Sequence, residues 1–287
     1  MDDPKRYPEA MKHFHSLFAV WSPDQTDRLK PGACGYFDDS GDWNVIANLR
    51  DAEPNGGNFP TPPLIPEPIE KFQGRWPPIC SDGVTWMQAQ LAAPIPIPNA
   101  GAHFEAKMEF SKQKGYGACL ITGPNVSSAY VENPKSVFED WVKANYASIR
   151  EMCRDLKDHD LWIITKTYHT RRCAISSWSG LQQSACLYIG AGALVGNSLT
   201  LHGAVGESAQ SGIWRFFPEE SDDQKNKVTG QSTVFVGGLR YRSSVFGLKE
   251  VDVTAPMRGK EEEVFLVDTS DGQLQVVCEE WGIEGDF

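Results

Sequence analysis

With 287 residues, 40% of them apolar and 23% charged, the chain is long enough to bury a sizeable core and too apolar to be disordered. Its formal charge of −11 disfavours a nucleic-acid partner, and no run approaches the roughly 18 apolar residues that a membrane-spanning helix needs. The seven cysteines (Cys34, Cys80, Cys119, Cys153, Cys173, Cys186, Cys278) are odd in number and form no CxxC pair. They read as reduced, mostly buried thiols of a cytoplasmic protein, not a disulfide framework or a zinc site.

The first residues are charged and lack the apolar core of a signal peptide. Residues 8–21 predict an amphipathic helix, with Met11, Phe14, Phe18 and Trp21 on one face and Pro23 ending it. Two apolar runs around Asp38-Asp39-Ser40-Gly41-Asp42 predict a hairpin over 29–49. Residues 53–68, with six prolines, read as an extended loop. In 102–110, Phe104, Ala106, Met108 and Phe110 alternate with polar residues at the period of a strand. Strand character also marks 84–91 and 115–122, with a turn expected at 111–114. Pro94, Pro96 and Pro98 exclude their segment from a sheet interior. Ser136 and Glu139 form a capping-box pattern ahead of a stripe running from Phe138 through Trp141, Val142, Asn145 and Ile149 to Leu156, a helix of about six turns. Strands are expected at 161–168 and beyond Cys173, with 180–183 turning the chain back into 184–189. Leu199, Leu201 and Val205 alternate in turn. Residues 218–227 read as a mobile loop, 232–246 as strand, and the tail as a hairpin around Asp271-Gly272.

Charge is unevenly placed. Residues 161–206 contain no Asp or Glu, and 83–104 carry no formal charge. Acid-poor, weakly amphipathic strands suit hairpins that are soluble first and cross a bilayer later. Residues 247–287 hold 11 acids and 3 bases, a net of −8, which leaves −3 for the rest. Such a tail can mask basic strands from an anionic surface, and its deletion is expected to increase membrane binding.

Chemistry-bearing motifs are absent: there is no HExxH, GxSxG, Walker lysine loop or paired-carboxylate pattern. Gly190-Ala191-Gly192-Ala193-Leu194-Val195-Gly196 lacks the third glycine and the βαβ setting of a dinucleotide loop. His169 and Cys173 sit in strand-forming sequence, and His13, His15, His103, His159, His169 and His202 show no ligand spacing with cysteines. The chain reads as a non-enzyme, with no catalytic, cofactor or metal site.

The order of these parts resembles the fungal branch of the gasdermin-like pore-forming proteins, the regulators of cell death in heterokaryon incompatibility. The resemblance covers about 30–246 and rests on the leading amphipathic helix, the hairpin at 29–49, the alternating region 84–122 and the Trp-containing helix. It also rests on Asp160-Leu161-Trp162-Ile163-Ile164-Thr165-Lys166-Thr167, which looks like the family's apolar-then-Thr strand, and on Gln231-Ser232-Thr233-Val234-Phe235-Val236, which looks like its closing strand.

The resemblance implies an α+β fold, a twisted antiparallel sheet with flanking helices like the gasdermin N-terminal domain, occupying 1–246 ahead of a short acidic tail at 247–287, a candidate inhibitory element. It implies a protein that is cytoplasmic at rest and moves to the plasma membrane on activation. There it oligomerises on acidic phospholipid and inserts two β-hairpins per subunit, 84–122 and 161–205, into a β-barrel pore that kills the cell. An activating protease or an allelic partner would supply the trigger; animal relatives carry a much larger inhibitory domain. Lys5, Arg6, Lys12, Lys112, Lys114, Arg171 and Arg172 are the candidate lipid contacts. Phe104, Met108, Phe110, Ile175, Trp178, Leu187 and Ile189 are the candidate membrane-inserting residues. An aspartate at Ile175 or Leu187 is expected to abolish pores without unfolding the soluble form. The alternative is a soluble β-rich lectin-like or peptide-binding module, with Trp162 and Trp178 as ligand platforms.

Overall fold

The structure is a computed structural model. It describes residues 3–23, 28–50, 59, 65–96, 103–132, 135–190, 201–202, 213–217, 230–245, 263–269 and 272–282. Most of the proline-rich 53–68 segment, the 191–200 glycine loop beyond Gly190 and residues 218–227 lie outside the described residues.

Helix α1 spans Asp3–Met11, earlier than the apolar spacing suggested. Asp3 and Pro4 suit a first turn, where an acid meets the positive helix end and a missing N–H costs nothing. After Met11 the chain turns: Phe14 N donates to Met11 O, and His15 and Ser16 adopt left-handed φ values of 50° and 53°. Phe14 and Phe18 still reach the core, but from a turn and from strand β1 (Phe18–Ala19). The periodicity therefore named core residues correctly, but the helix it predicted stops at Met11.

Strands β2 (Ala33–Phe37) and β3 (Trp43–Asn48) form the expected hairpin, with Asp38 Oδ1 accepting from Ser40 N and Asp42 N to close its turn. There follow β4 (Ile69–Gly74), β5 (Ile79–Cys80), β6 (Thr85–Pro96), β7 (His103–Thr122) and β8 (Val126–Tyr130). Helix α2 covers Lys135–Met152, with a 3-10 turn at Arg154–Lys157 after it. Ser136 lies inside α2, and Glu139 pairs with Lys135 Nζ at 2.9 Å rather than serving a capping box. After α2 come β9 (Leu161–Thr170), β10 (Cys173–Gly190), β11 (Leu201–His202), β12 (Ile213–Phe217), β13 (Ser232–Val245), β14 (Glu263–Thr269) and β15 (Gly272–Trp281).

The strands make two antiparallel sheets, so the fold is dominated by sheet more than an α+β description with flanking helices conveys. In the large sheet the order is β14-β15-β13-β9-β2-β3, with β1 on β13 and the β4–β8 pair attached to β9. Alternation along β9 divides its core. Leu161 and Ile163 pack with Phe138, Trp141, Tyr146 and Ile149 of α2, while Trp162 and Ile164 face Trp43, Val236 and Trp281 on the other side. Asn145 interrupts the apolar stripe of α2 without an unmet donor, because its Nδ2 donates to Trp141 O at 2.8 Å. The small sheet is built on β7 and β10, flanked by β5 and β6 on one side and β11 and β12 on the other. Helix α1 seals the junction of the sheets: Tyr7 and Met11 are fully buried with Ala118, Leu120, Ile175, Tyr168 and Phe235.

A candidate membrane-inserting ribbon

The two sheets share two bent strand pairs. Strands β8 and β9 pair in the large sheet from Tyr130 opposite Lys166 to Val126 opposite Thr170, and β7 and β10 continue in the small sheet from Thr122 opposite Cys173. At the corner Gly123 N donates to Arg172 O at 2.7 Å, and Thr170 Oγ1 donates to the same carbonyl. Both chains therefore change sheets at one place, which is how orthogonal corners are made.

Beyond the corner, β7 runs for 20 residues and β10 for 18, paired without a register shift as far as Ile189 opposite Ala106. Residues 111–114 and 180–183 are not turns, a correction of the sequence reading. Gly180 falls opposite Gly115, whose φ is +86°. On β7 the core-facing parity slips across this point: Met108 and Phe110 share a cluster with Cys119 and Ile121. The polar, glycine-containing breaks of the two strands thus coincide and bend the pair instead of ending it. Just inside the bend, Trp178 lies across Gly117, where a Cβ would come within 2.3 Å of the indole.

At its outer end the ribbon reads β6, β7, β10, β11; at its inner end, β5, β7, β10, β12. It is two hairpins side by side. The first spans 85–122, close to the expected 84–122. The second starts at Cys173, not at 161, because β9 is a buried inner strand of the large sheet. Pro94 and Pro96 lie within β6, an edge strand, where the missing donor is tolerated.

The candidate inserting residues occupy this ribbon, and Met108, Phe110, Ile175, Trp178 and Leu187 are core in this state. Met108, Phe110, Trp178 and Leu187 form one cluster with Trp214 and Phe216, and Ile175 belongs to the cluster beneath α1. Phe104 pairs in register with Ile95, and Ile189 with Leu201. The expectation that Ile175→Asp or Leu187→Asp spares the soluble form is therefore corrected: both side chains are 0% exposed, and neither has room to hydrate a carboxylate. Among the described residues, the exposed large apolar side chains of the ribbon are Trp86 (42%) and Met87 (61%) on β6, which the sequence did not single out.

The basic candidates fall into three groups. Arg6 lies 4.9 Å over the Tyr116 ring of β7, the strand that also carries exposed Lys114 and Lys112, whose Nζ donates to Asp82 O. Lys5 pairs with Asp39 at 2.8 Å, and Lys12 sits between Glu9 and the Trp281 ring. Arg171 and Arg172 stand at the corner, eight residues along β7 from Lys114, or about 26 Å. One contiguous basic face joining all seven is not formed.

The acidic tail contributes structure. Strands β14 and β15 form a hairpin in which Thr269 pairs with Gly272, and β15 lies along β13 from Gly238 to Val245. Leu274, Val276 and Cys278 are buried against α2, and Trp281 against Phe18 and Trp162.

No protein-family model matches the chain, and no curated protein is similar to it. A solved structure to which it is similar is the cryo-EM structure of the gasdermin A3 membrane pore. That alignment covers 88% of this chain and 97% of the other, at 8% identity and a TM-score of 0.29. The likeness is too loose to carry an argument. No helix among the described residues is long and apolar enough to cross a membrane, which leaves strands untouched by that test. Among the described residues there is also no grouping of His, Cys, Asp and Glu able to hold a metal.

Proposed function

We propose that the chain is a pore-forming protein whose paired hairpins enter a lipid bilayer and whose copies close them into a β-barrel. The observation that carries this reading is the ribbon itself. Two adjacent antiparallel hairpins are already in register with one another, on strands of 20 and 18 residues, where about 9–11 suffice to cross the hydrocarbon. Their sequence is poor in acids, so lipid-facing charges are few. Closure of a barrel would satisfy the backbone groups that an open edge such as β6 leaves unpaired. In this state α1 holds the ribbon to the body through the buried Tyr7 and Met11 and through Tyr116 OH donating to Asp3 Oδ1 at 3.1 Å. Lys112 and Lys114 lie on β7 itself, with Arg6 of α1 over Tyr116, and would meet an acidic headgroup layer. On this reading the protein acts at the plasma membrane in a regulated lytic death.

Dye release from vesicles with and without acidic lipid tests the proposal. Successive residues of a strand face opposite sides, so in an inserted hairpin either Trp86 or Met87 faces lipid. A lysine there attracts the acidic surface but costs about 2–4 kcal/mol near the midplane. Trp86→Lys and Met87→Lys are both expected to bind acidic vesicles, and at least one to lose release. Wild-type release by both would sink insertion of this ribbon.

A further inference from the structure

The foot of the ribbon brings two thiols together. Strand β5 lies along β7 with Ile79 opposite Leu120 and Cys80 opposite Cys119. Among the described residues, this is the one place where strand register sets two cysteines face to face. One position further on, Ser81 N donates to Ala118 O at 2.9 Å and Ala118 N donates to Ser81 Oγ at 3.0 Å. Ser81 and Ala118 are thus a hydrogen-bonded pair, and such pairs alternate with open ones along an antiparallel ladder. Cys80 and Cys119 therefore occupy an open site, where Cα atoms stand about 4.5 Å apart and side chains come closest. A disulfide spans Cα separations of about 4.4–6.8 Å. Both thiols are free, and both side chains enter one apolar cluster, with Val84 and Trp214 beside them. Cys119 is fully buried and Cys80 half-buried, so Cys80 meets a reagent first.

Position gives the pair its leverage. Thr85 pairs with Ser111, yet Cys80 is five residues from Thr85 while Cys119 is eight from Ser111. The excess of three residues lies on β7, and Gly115, where the ribbon bends, lies within it. Carrying the β6–β7 register straight through the bend would set Cys80 opposite Tyr116, about 10 Å along the strand from Cys119. A bond between the two sulfurs forbids that slide, and so fixes the bend.

We propose that Cys80 and Cys119 are a peroxide-responsive dithiol whose disulfide locks the ribbon in its bent, resting form. The Cys80 sulfur attacks one peroxide oxygen, the O–O bond breaks, and a sulfenic acid and one water result. The Cys119 sulfur then attacks Cys80 and a second water leaves. Two thiols have lost two hydrogens, and one peroxide has become two waters. Burial pushes the Cys80 thiol up to about 12, so thiolate is scarce at neutral pH and closure answers sustained oxidant, not background levels. A thiol reductant reopens the bond. The lock rests on the pore-forming reading; the dithiol does not.

The full chain is treated with hydrogen peroxide, digested without reductant and mapped by mass spectrometry. Untreated, oxidised and dithiothreitol-recovered chains, and Cys80→Ser with and without peroxide, then enter dye release from acidic vesicles. The expected result is a Cys80–Cys119 link, loss of most release on oxidation, recovery with dithiothreitol and no oxidant effect on Cys80→Ser. No link, or a link elsewhere such as Cys34 to Cys153, overturns the dithiol. A mapped link with undiminished release, or an equal loss in Cys80→Ser, overturns the lock. If no form releases dye, the pore-forming reading fails on its own account, and amide exchange decides the lock. Oxidation is then expected to slow exchange across 112–118, and unchanged exchange there overturns it.

Discussion

Ending the chain at Phe246 removes β14 and β15, and the structure makes this a test of the core before it is a test of masking. The deletion takes out Val267, Leu274, Val276 and Trp281, each less than a tenth exposed. At about 1.5–3 kcal/mol for each buried side chain, the lost burial is about 6–12 kcal/mol, comparable with the whole stability of an ordinary domain at about 5–15 kcal/mol. The ladder of β15 is stripped from β13, and Arg240 and Arg242 lose Glu279. The shortened chain is therefore expected to lose its near-UV circular dichroism and to bind hydrophobic dyes. Any gain in vesicle binding would then come from exposed core and persist on neutral vesicles. Circular dichroism, a thermal melt and vesicle binding on one preparation decide the matter. A truncated chain melting within about 5 °C of the full chain would refute this account of the tail. Added selectivity for acidic lipid would restore the masking expectation.

Three further outcomes are expected. Gly117→Ala places a Cβ against the Trp178 ring and should destabilise the fold by about 1–3 kcal/mol with a shifted tryptophan emission; an unchanged denaturation midpoint contradicts the packing described. Ile175→Asp buries an unpaired carboxylate and should cost about 3–5 kcal/mol, so a soluble chain of normal melting temperature would show that this site is not core. His169 is buried on β9, and desolvation holds its pKa below the ordinary 6.5, with Glu70 opposing. The unfolded chain then binds more protons than the folded one just below pH 6.5, so stability should fall as pH drops through that window. His169→Gln should flatten the fall, and melts at pH 7.5 and 5.5 on both chains read it directly.

Local patterns in the sequence carried much of the fold. Leu161, Trp162, Ile163 and Ile164 announce a strand, Phe138 to Ile149 a helix with one apolar side, and Asp38 to Asp42 a turn, because each signal lies within a few residues. The tail hairpin was legible for the same reason, through Asp271 and Gly272. The sparse acids of 83–104 and 161–206 overlapped the ribbon, although 161–170 belongs to the large sheet.

Long-range pairing was not legible. Ser111 to Lys114 and Gly180 to Gln183 each look like a turn when read alone; set against one another across β7 and β10, they become a shared bend. Nothing in the local sequence assigns β9 to one sheet and β10 to the other; the corner between them is tied across the chain by Gly123 N donating to Arg172 O. Cys80 and Cys119 face one another only through the pairing of β5 with β7. By itself the sequence determined which residues prefer strand, helix and core, because those preferences are set by neighbours. Tertiary structure decided which strands meet and what they enclose, because hydrogen-bond register is a property of pairs.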